Sequence, residues 1–211
     1  MKLYGFPPSP RTWKVRAVAA HLGIPLQLEF VDLGKGEQRS PAYLAINPTR
    51  RTPTLVDGDF VLWEAEAIIQ YLAGRAPNAL WPDDARLRAE ITRWQSWELA
   101  HWGKEACEPI IVERLVKQVL NLGPPDAAVV EKATAAFHRE TAVLDAHLAR
   151  QPWLVGSQLT LADLSLAAVL FVAEPAQLPV VQYHNVLAWF GRVSALPAWR
   201  ETAPPPLPVA A

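Results

Sequence analysis

The sequence predicts an α/β domain of element order βαβαββα followed by an all-helical domain. Three observations carry this prediction. Strand and helix patterns alternate over residues 2–72, a proline-containing connector at 76–84 ends the alternation, and from Ala85 onward apolar residues recur only at helical spacing. The first domain is therefore placed at residues 1–76 and the helical one at 85–203.

The elements follow in chain order. Residues 2–6 make a short apolar strand, and after Pro7-Pro8-Ser9-Pro10 a helix begins with Val15, Val18, Ala19 and Leu22 on one face. Gly23 and Pro25 end it. Residues 26–30 alternate with period two, so a second strand follows, and a β-α-β unit of this size makes a parallel, right-handed pair. Ser40-Pro41 has the N-cap and first-turn chemistry of another short helix. Thr54-Leu55-Val56 and Phe60-Val61-Leu62 flank Asp57-Gly58, the signature of a tight hairpin, before a helix through Ala67, Ile68, Tyr71 and Leu72. In the second half, residues 85–118 form one long helical pattern with Pro109 inside it, where a kink or interruption is expected. Further helices are predicted at 126–150, 161–173 and 185–196, and the proline-rich residues 204–211 as an extended tail.

Composition excludes several classes. Of 211 residues, 51 % are apolar, enough for a sizeable core. Twenty basic against 21 acidic side chains leave a net charge of −1, which gives no overall electrostatic reason to expect nucleic acid or an acidic membrane as partner. Cys107 is the single cysteine, so neither an intrachain disulfide nor a C-x-x-C redox pair can form. The longest apolar run, 164–173, is far shorter than the roughly 20 residues that span a bilayer, and the start lacks a signal peptide's apolar stretch. A cytoplasmic location is expected.

One motif in the helical half is specific. Thr160 is placed to cap the helix that follows, with Asp163 returning a hydrogen bond to the cap residue's N–H, a capping box with Leu159 and Leu164 as its hydrophobic staple. Preceded by Trp153-Leu154-Val155-Gly156, this resembles the N-capping box of the helical domain of cytosolic glutathione transferases. Similarity to that family then extends from Lys2 to about Thr202. Asn47-Pro48-Thr49-Arg50-Arg51-Thr52-Pro53 resembles its loop into the third strand, Trp63-Glu64-Ala65-Glu66-Ala67-Ile68 its Glu-Ser-x-Ala-Ile segment, and Tyr183-His184-Asn185-Val186 with Ala195-Leu196-Pro197-Ala198-Trp199 its late helices. The turn Ser9-Pro10-Arg11-Thr12-Trp13-Lys14-Val15 is similar to the Ser-x-x-x-x-basic-Val pattern of the serine-type, theta- and phi-like classes. The resemblance implies a thioredoxin-like first domain, glutathione as co-substrate without a metal, a small hydrophobic electrophile as second substrate, and a homodimer.

It also implies site residues, each with a plainer reading beside it. Ser9 would donate its hydroxyl to the glutathione thiolate, with Thr12 as the alternative one turn on; Ser before Pro is equally ordinary N-cap chemistry. Thr52, held extended before a Pro53 that is cis in the family, would pair with the tripeptide backbone as an added strand; otherwise it is a strand-entry residue. Glu64 and the backbone at Ala65 would take the γ-glutamyl ammonium and carboxylate at a helix N-terminus. The family usually has Ser or Thr where Ala65 stands, so one hydrogen bond is missing. Arg39 and Arg51 would hold the glycyl carboxylate or else be solvated loop charges; Gln38 stands where the family has a basic residue, Arg50 where it commonly has Gly. In the long helix, Trp97, His101 and Trp102 would line the electrophile site, although an aromatic stripe is as readily core. His101 has no cysteine or second histidine at ligand spacing, so no metal is assigned. The alternative function is a non-catalytic binding protein of the same fold, a hydrophobic-ligand carrier or a partner-docking module, which Ala65 and Gln38 favour.

Overall fold

The structure is a computed structural model that describes residues 1–204 of the chain. It divides into two units, Met1–Trp81 with the segment beginning at Ala195, and Pro82–Ser194. The expected tail lies, beyond Pro204, outside the described residues.

The first unit is built on a four-stranded sheet of order β2-β1-β3-β4. β1 (Lys2–Gly5) runs parallel to β2 (Gln27–Phe30), as a β-α-β crossover requires, while β3 (Thr54–Asp57) is antiparallel to both β1 and β4 (Phe60–Trp63). Leu3 and Leu55, paired across β1 and β3, are fully buried. The crossover helix α1 (Pro10–His21) buries Val15, Val18 and Ala19 and packs on α3 (Ala65–Ala73), which buries Ile68, Ile69 and Leu72. Between them α2 (Pro41–Leu44) starts at Ser40, whose hydroxyl accepts from Tyr43 N. The hairpin pairs Asp57 with Phe60, so its central residues are Gly58 and Asp59, one place later than the Asp57-Gly58 signal suggests. Gly58 takes φ +66° while Asp59 does not take a positive φ, the pattern of a II′ turn. Asp57 is retained in the strand because its carboxylate accepts from Tyr71 Oη at 2.8 Å and from Arg75 at 2.6 Å.

The helical unit opens with α4 (Ala85–Trp97), capped by Asp84 accepting from Leu87 N. The chain does not stop or break at Pro109. It stays helical through α5 (Glu108–Ile111) and α6 (Lys117–Val119) by widening into π-type turns at Glu98–Cys107 and Val112–Val116, where Glu108 N–H reaches Gly103 O and Lys117 N–H reaches Val112 O. The wider turn relieves the clash of a proline ring with the carbonyl four residues back. α7 (Ala127–Leu148) is capped by Asp126, and α8 (Leu161–Leu170) is buried along its whole length. At the start of α8, Asp163 Oδ2 accepts from both the N–H and the hydroxyl of Thr160, and Oδ1 accepts from Leu154 N and from the Trp189 indole of α9 (His184–Ser194). The capping box thus also ties α9 and the 154 loop to α8. Burial pushes the Asp163 carboxyl above the ordinary aspartate value, and these hydrogen bonds oppose that shift.

The last helix, α10 (Pro197–Glu201), belongs to the first unit. Chain order places it with the helical domain expected at 85–203, since it follows α9 directly, whereas Trp199 packs on Trp13 of α1 with ring centroids 4.0 Å apart, and Thr202 Oγ1 accepts from the Trp13 indole.

Candidate active site

Strand register brings the predicted glutathione residues to one end of the sheet. Tyr4 of β1 pairs with Thr54 of β3, and Thr54 with Trp63 of β4. Because β3 runs opposite to its neighbours, the chain leaves β1 toward Ser9, enters β3 from Thr52-Pro53 and leaves β4 into Glu64, all at that same end. β2, parallel to β1, also exits there into the loop that carries Arg39, and Val31 N donates to Gly5 O at the start of that loop.

Ser9 occupies the N-cap of α1, with φ −74°, ψ 127° and Pro10 following. Its N–H donates to Phe6 O and its carbonyl accepts from Trp13 N, both at 2.9 Å, so its backbone is fixed. Its hydroxyl makes no capping hydrogen bond. Thr12 is in a different setting. It is fully buried against Gly5, where an added Cβ would lie 2.6 Å from Thr12 Cγ2, and its Oγ1 has no hydrogen-bond partner. Gly5 is needed for this close passage of β1 against α1, and Thr12 fills it.

The Thr52-Pro53 bond is cis. The loop around it is held by two side chains of the preceding segment. Tyr43 Oη donates to Arg51 O at 2.6 Å, and Asn47 Nδ2 donates to Arg51 O at 2.9 Å and to Thr54 Oγ1 at 2.8 Å. Asn47 Oδ1 in turn accepts from the N–H and the hydroxyl of Thr49, an Asx turn. Burial pushes the Tyr43 phenol up, so it stays a donor. With Arg51 and Thr54 clamped on either side, the main-chain N–H and C=O of Thr52 make no hydrogen bond among the described residues. The role of Tyr43 was not read from the sequence, and the Asn47-Pro48-Thr49 spacing was the available signal for the Asx turn.

Glu64 is the N-cap of α3 with φ 73° and ψ 120°, a conformation that costs a non-glycine residue on the order of 1–3 kcal/mol. Its side chain caps nothing and is exposed. Ala65 behind it is buried. Arg39, Arg50 and Arg51 are exposed, without an ion-pair partner among the described residues, and Arg50 has φ 62°. That left-handed conformation is a physical reason for the glycine the family commonly carries at this position.

In the helical unit, Trp102 departs from the expectation that it lines a substrate site. It is 0 % exposed, stacks on Trp97 and donates its indole N–H to Thr141 of α7 at 2.9 Å, so it is core. Trp97 is half-buried and donates to Glu140, and His101 is exposed. Cys107 is fully buried, and burial followed by the charge of Glu98 pushes its thiol well up. Among the described residues no group of three or more His, Cys, Asp or Glu is placed to hold a metal, and no helix is long and apolar enough to cross a membrane.

Comparison with known proteins gives one family throughout. The N-terminal domain of glutathione S-transferase matches residues 1–74 and its C-terminal domain residues 106–197. Glutathione S-transferase 3 of Zea mays is 37 % identical over 215 residues, covering 99 % of this chain and 96 % of that protein. Human glutathione S-transferase theta-2B is 33 % identical across 82 % of this chain and 72 % of its own length. Among solved structures, the theta class enzyme of Xanthomonas axonopodis pv. citri with glutathione bound superposes with a TM-score of 0.87 at 27 % identity, covering 98 % of each chain. Glutathione transferase F7 from Populus trichocarpa gives 0.87 at 26 %, covering 95 % of this chain and 96 % of that one. The chain belongs to the glutathione S-transferase family.

Proposed function

We propose that the protein joins the glutathione thiolate to a small hydrophobic electrophile, with Ser9 as the residue that holds the thiolate. The observation that carries this is the convergence of Ser9, Thr52 and Glu64 at one end of three adjacent strands, each with uncommitted polar groups. A free thiol near pKa 8.5 is only a few per cent ionised at pH 7, so catalysis begins with ionisation, the proton leaving to solvent. The Ser9 hydroxyl then donates to the sulfur anion, aided by the positive end of α1. The sulfur attacks the electrophilic carbon; one S–C bond forms, and the electron pair passes to the acceptor or to a departing halide.

The rest of the first unit orients the tripeptide. Thr52 pairs with its backbone as an added strand, the first-turn amides of α3 at Ala65 receive the γ-glutamyl carboxylate, and Glu64 takes the ammonium. Arg39 and Arg51 supply charge for the glycyl carboxylate. Thr12, buried against Gly5, sets where Ser9 emerges rather than touching sulfur. Of Trp97, His101 and Trp102, the first two keep surface to offer an electrophile. A cytoplasmic, detoxifying homodimer is the setting we assign. The dimer is favoured by β4, the edge strand of the sheet among the described residues, on which Phe60, Val61 and Trp63 are 43 %, 37 % and 40 % exposed. The test is conjugation of glutathione to a broad electrophile panel, with light scattering for mass. Failure to bind glutathione would remove the whole reading; binding without turnover on any electrophile would leave only a binding protein.

A further inference from the structure

α1 and α3 meet through a buried ion pair. Lys14 Nζ lies 2.6 Å from Glu66 Oε1, the two side chains being 1 % and 9 % exposed, and Arg11 approaches the other Glu66 oxygen at 3.9 Å. We infer that Lys14 and Glu66 are positioning residues for the glutathione site, setting the start of α1, which carries Ser9, against the start of α3, which carries Glu64. The inference rests on the reading of Ser9 and Glu64 given above.

Placement is the first argument. Glu66 stands in the first turn of α3, two residues after Glu64, and Lys14 is five residues after Ser9. Neither helix start carries a side-chain cap, since Ser9 and Glu64 make none; their backbone bonds hold each start to its own segment, and the ion pair is a side-chain link from one helix to the other. Energetics is the second. A buried ion pair adds little net stability over well-packed apolar residues, and α1 and α3, which pack together, already bury Val15, Val18, Ile68 and Ile69. What an ion pair adds is direction: the helices can slide on an apolar contact at small cost, but not without separating Lys14 from Glu66. Ligand geometry is the third. One glutathione molecule must reach both helix starts, its sulfur at Ser9 and its γ-glutamyl end at α3, and a shift of about 1 Å between them spoils one contact when the other is made.

The test uses the double variant Lys14→Met/Glu66→Met, which leaves no buried charge uncompensated, Arg11 being 38 % exposed, with Glu66→Gln, Lys14→Arg and Ser9→Ala beside it. The readouts are melting temperature, glutathione KM and kcat, and the ultraviolet titration of the bound thiol. The double variant should melt close to the wild type, yet raise glutathione KM about tenfold and move the bound-thiol pKa up toward that of free glutathione. Lys14→Arg, which keeps the pair, should retain near-native constants, and Glu66→Gln should fall between. If the double variant does not fold, Glu66→Gln decides by the same readouts. Native KM and thiol pKa in a folded, charge-free variant would overturn the inference, as would a Lys14→Arg protein impaired as severely as the double variant. Should Ser9→Ala itself leave the thiol titration unmoved, the site reading fails; an effect there beside a native double variant rejects the positioning role alone.

Discussion

Replacing Asp163 should disable the helical unit, and the structure sets the size of the effect. The carboxylate accepts four hydrogen bonds, from Leu154 N, Thr160 N, Thr160 Oγ1 and Trp189 Nε1, at 2.8 to 3.0 Å. Leu154, Thr160 and Trp189 are 1 %, 4 % and 0 % exposed, so Asp163→Ala leaves two backbone N–H groups and one indole N–H buried without an acceptor. At about 1–3 kcal/mol for each orphaned donor, and allowing for overlap within one network, the loss is on the order of 4–6 kcal/mol. That is a large share of the roughly 5–15 kcal/mol by which a domain is stable. Asp163→Asn keeps one acceptor oxygen but turns an amide NH2 toward the remaining donors, and should cost about half as much. Guanidinium unfolding followed by circular dichroism at 222 nm measures both. A loss below about 1 kcal/mol for Asp163→Ala would refute the view that this residue ties the 154 loop, α8 and α9 together.

The Cys107 thiol, fully buried and pushed well up by burial, should resist alkylation in the folded protein at pH 8 and label at the rate of global opening; rapid labelling would contradict its burial. Glu113 has its pKa lowered by the Asp126 N–H at 2.7 Å and by Lys117. Its contribution to stability should therefore be complete above the ordinary value of about 4.3 and fade as pH falls through the lowered folded value. Glu113→Gln should melt below the wild type at pH 7, the gap closing in acid, whereas a gap independent of pH would count against it.

Much of the architecture was legible because its signals are local. Period-two alternation at 26–30, the Gly23 helix stop and the Thr160/Asp163 spacing each report a backbone preference that neighbouring residues already determine. What the sequence left open depends on contacts between distant residues. The hairpin centre moved one place because Tyr71 and Arg75 hold Asp57 in β3. Helical spacing put Trp97, His101 and Trp102 on a common stretch, but only the approach of α7, with Thr141 under the Trp102 indole, decides which of them is covered. Ser9 is ambiguous in the sequence, since a capping serine and a thiolate donor both precede proline at a helix start; the fold shows that its hydroxyl makes no capping bond, which leaves it available for the role we propose. Lys14 was visible as the basic residue of a motif, yet its partner Glu66 lies 52 positions away and is apparent only once α1 packs on α3.

The central claim is that Ser9 stabilises the glutathione thiolate, and the thiol pKa of bound glutathione tests it most directly. A hydrogen bond to a charged group is worth about 1.5–3 kcal/mol, hence a shift of roughly one to two pKa units. Ultraviolet titration of the wild-type complex should place the thiol at least about one unit below the free value near 8.5. In Ser9→Ala it should return most of the way while the melting temperature stays unchanged, because no capping bond is lost. A bound thiol that titrates alike in wild type and Ser9→Ala, or a variant that loses stability and nothing else, would contradict the account.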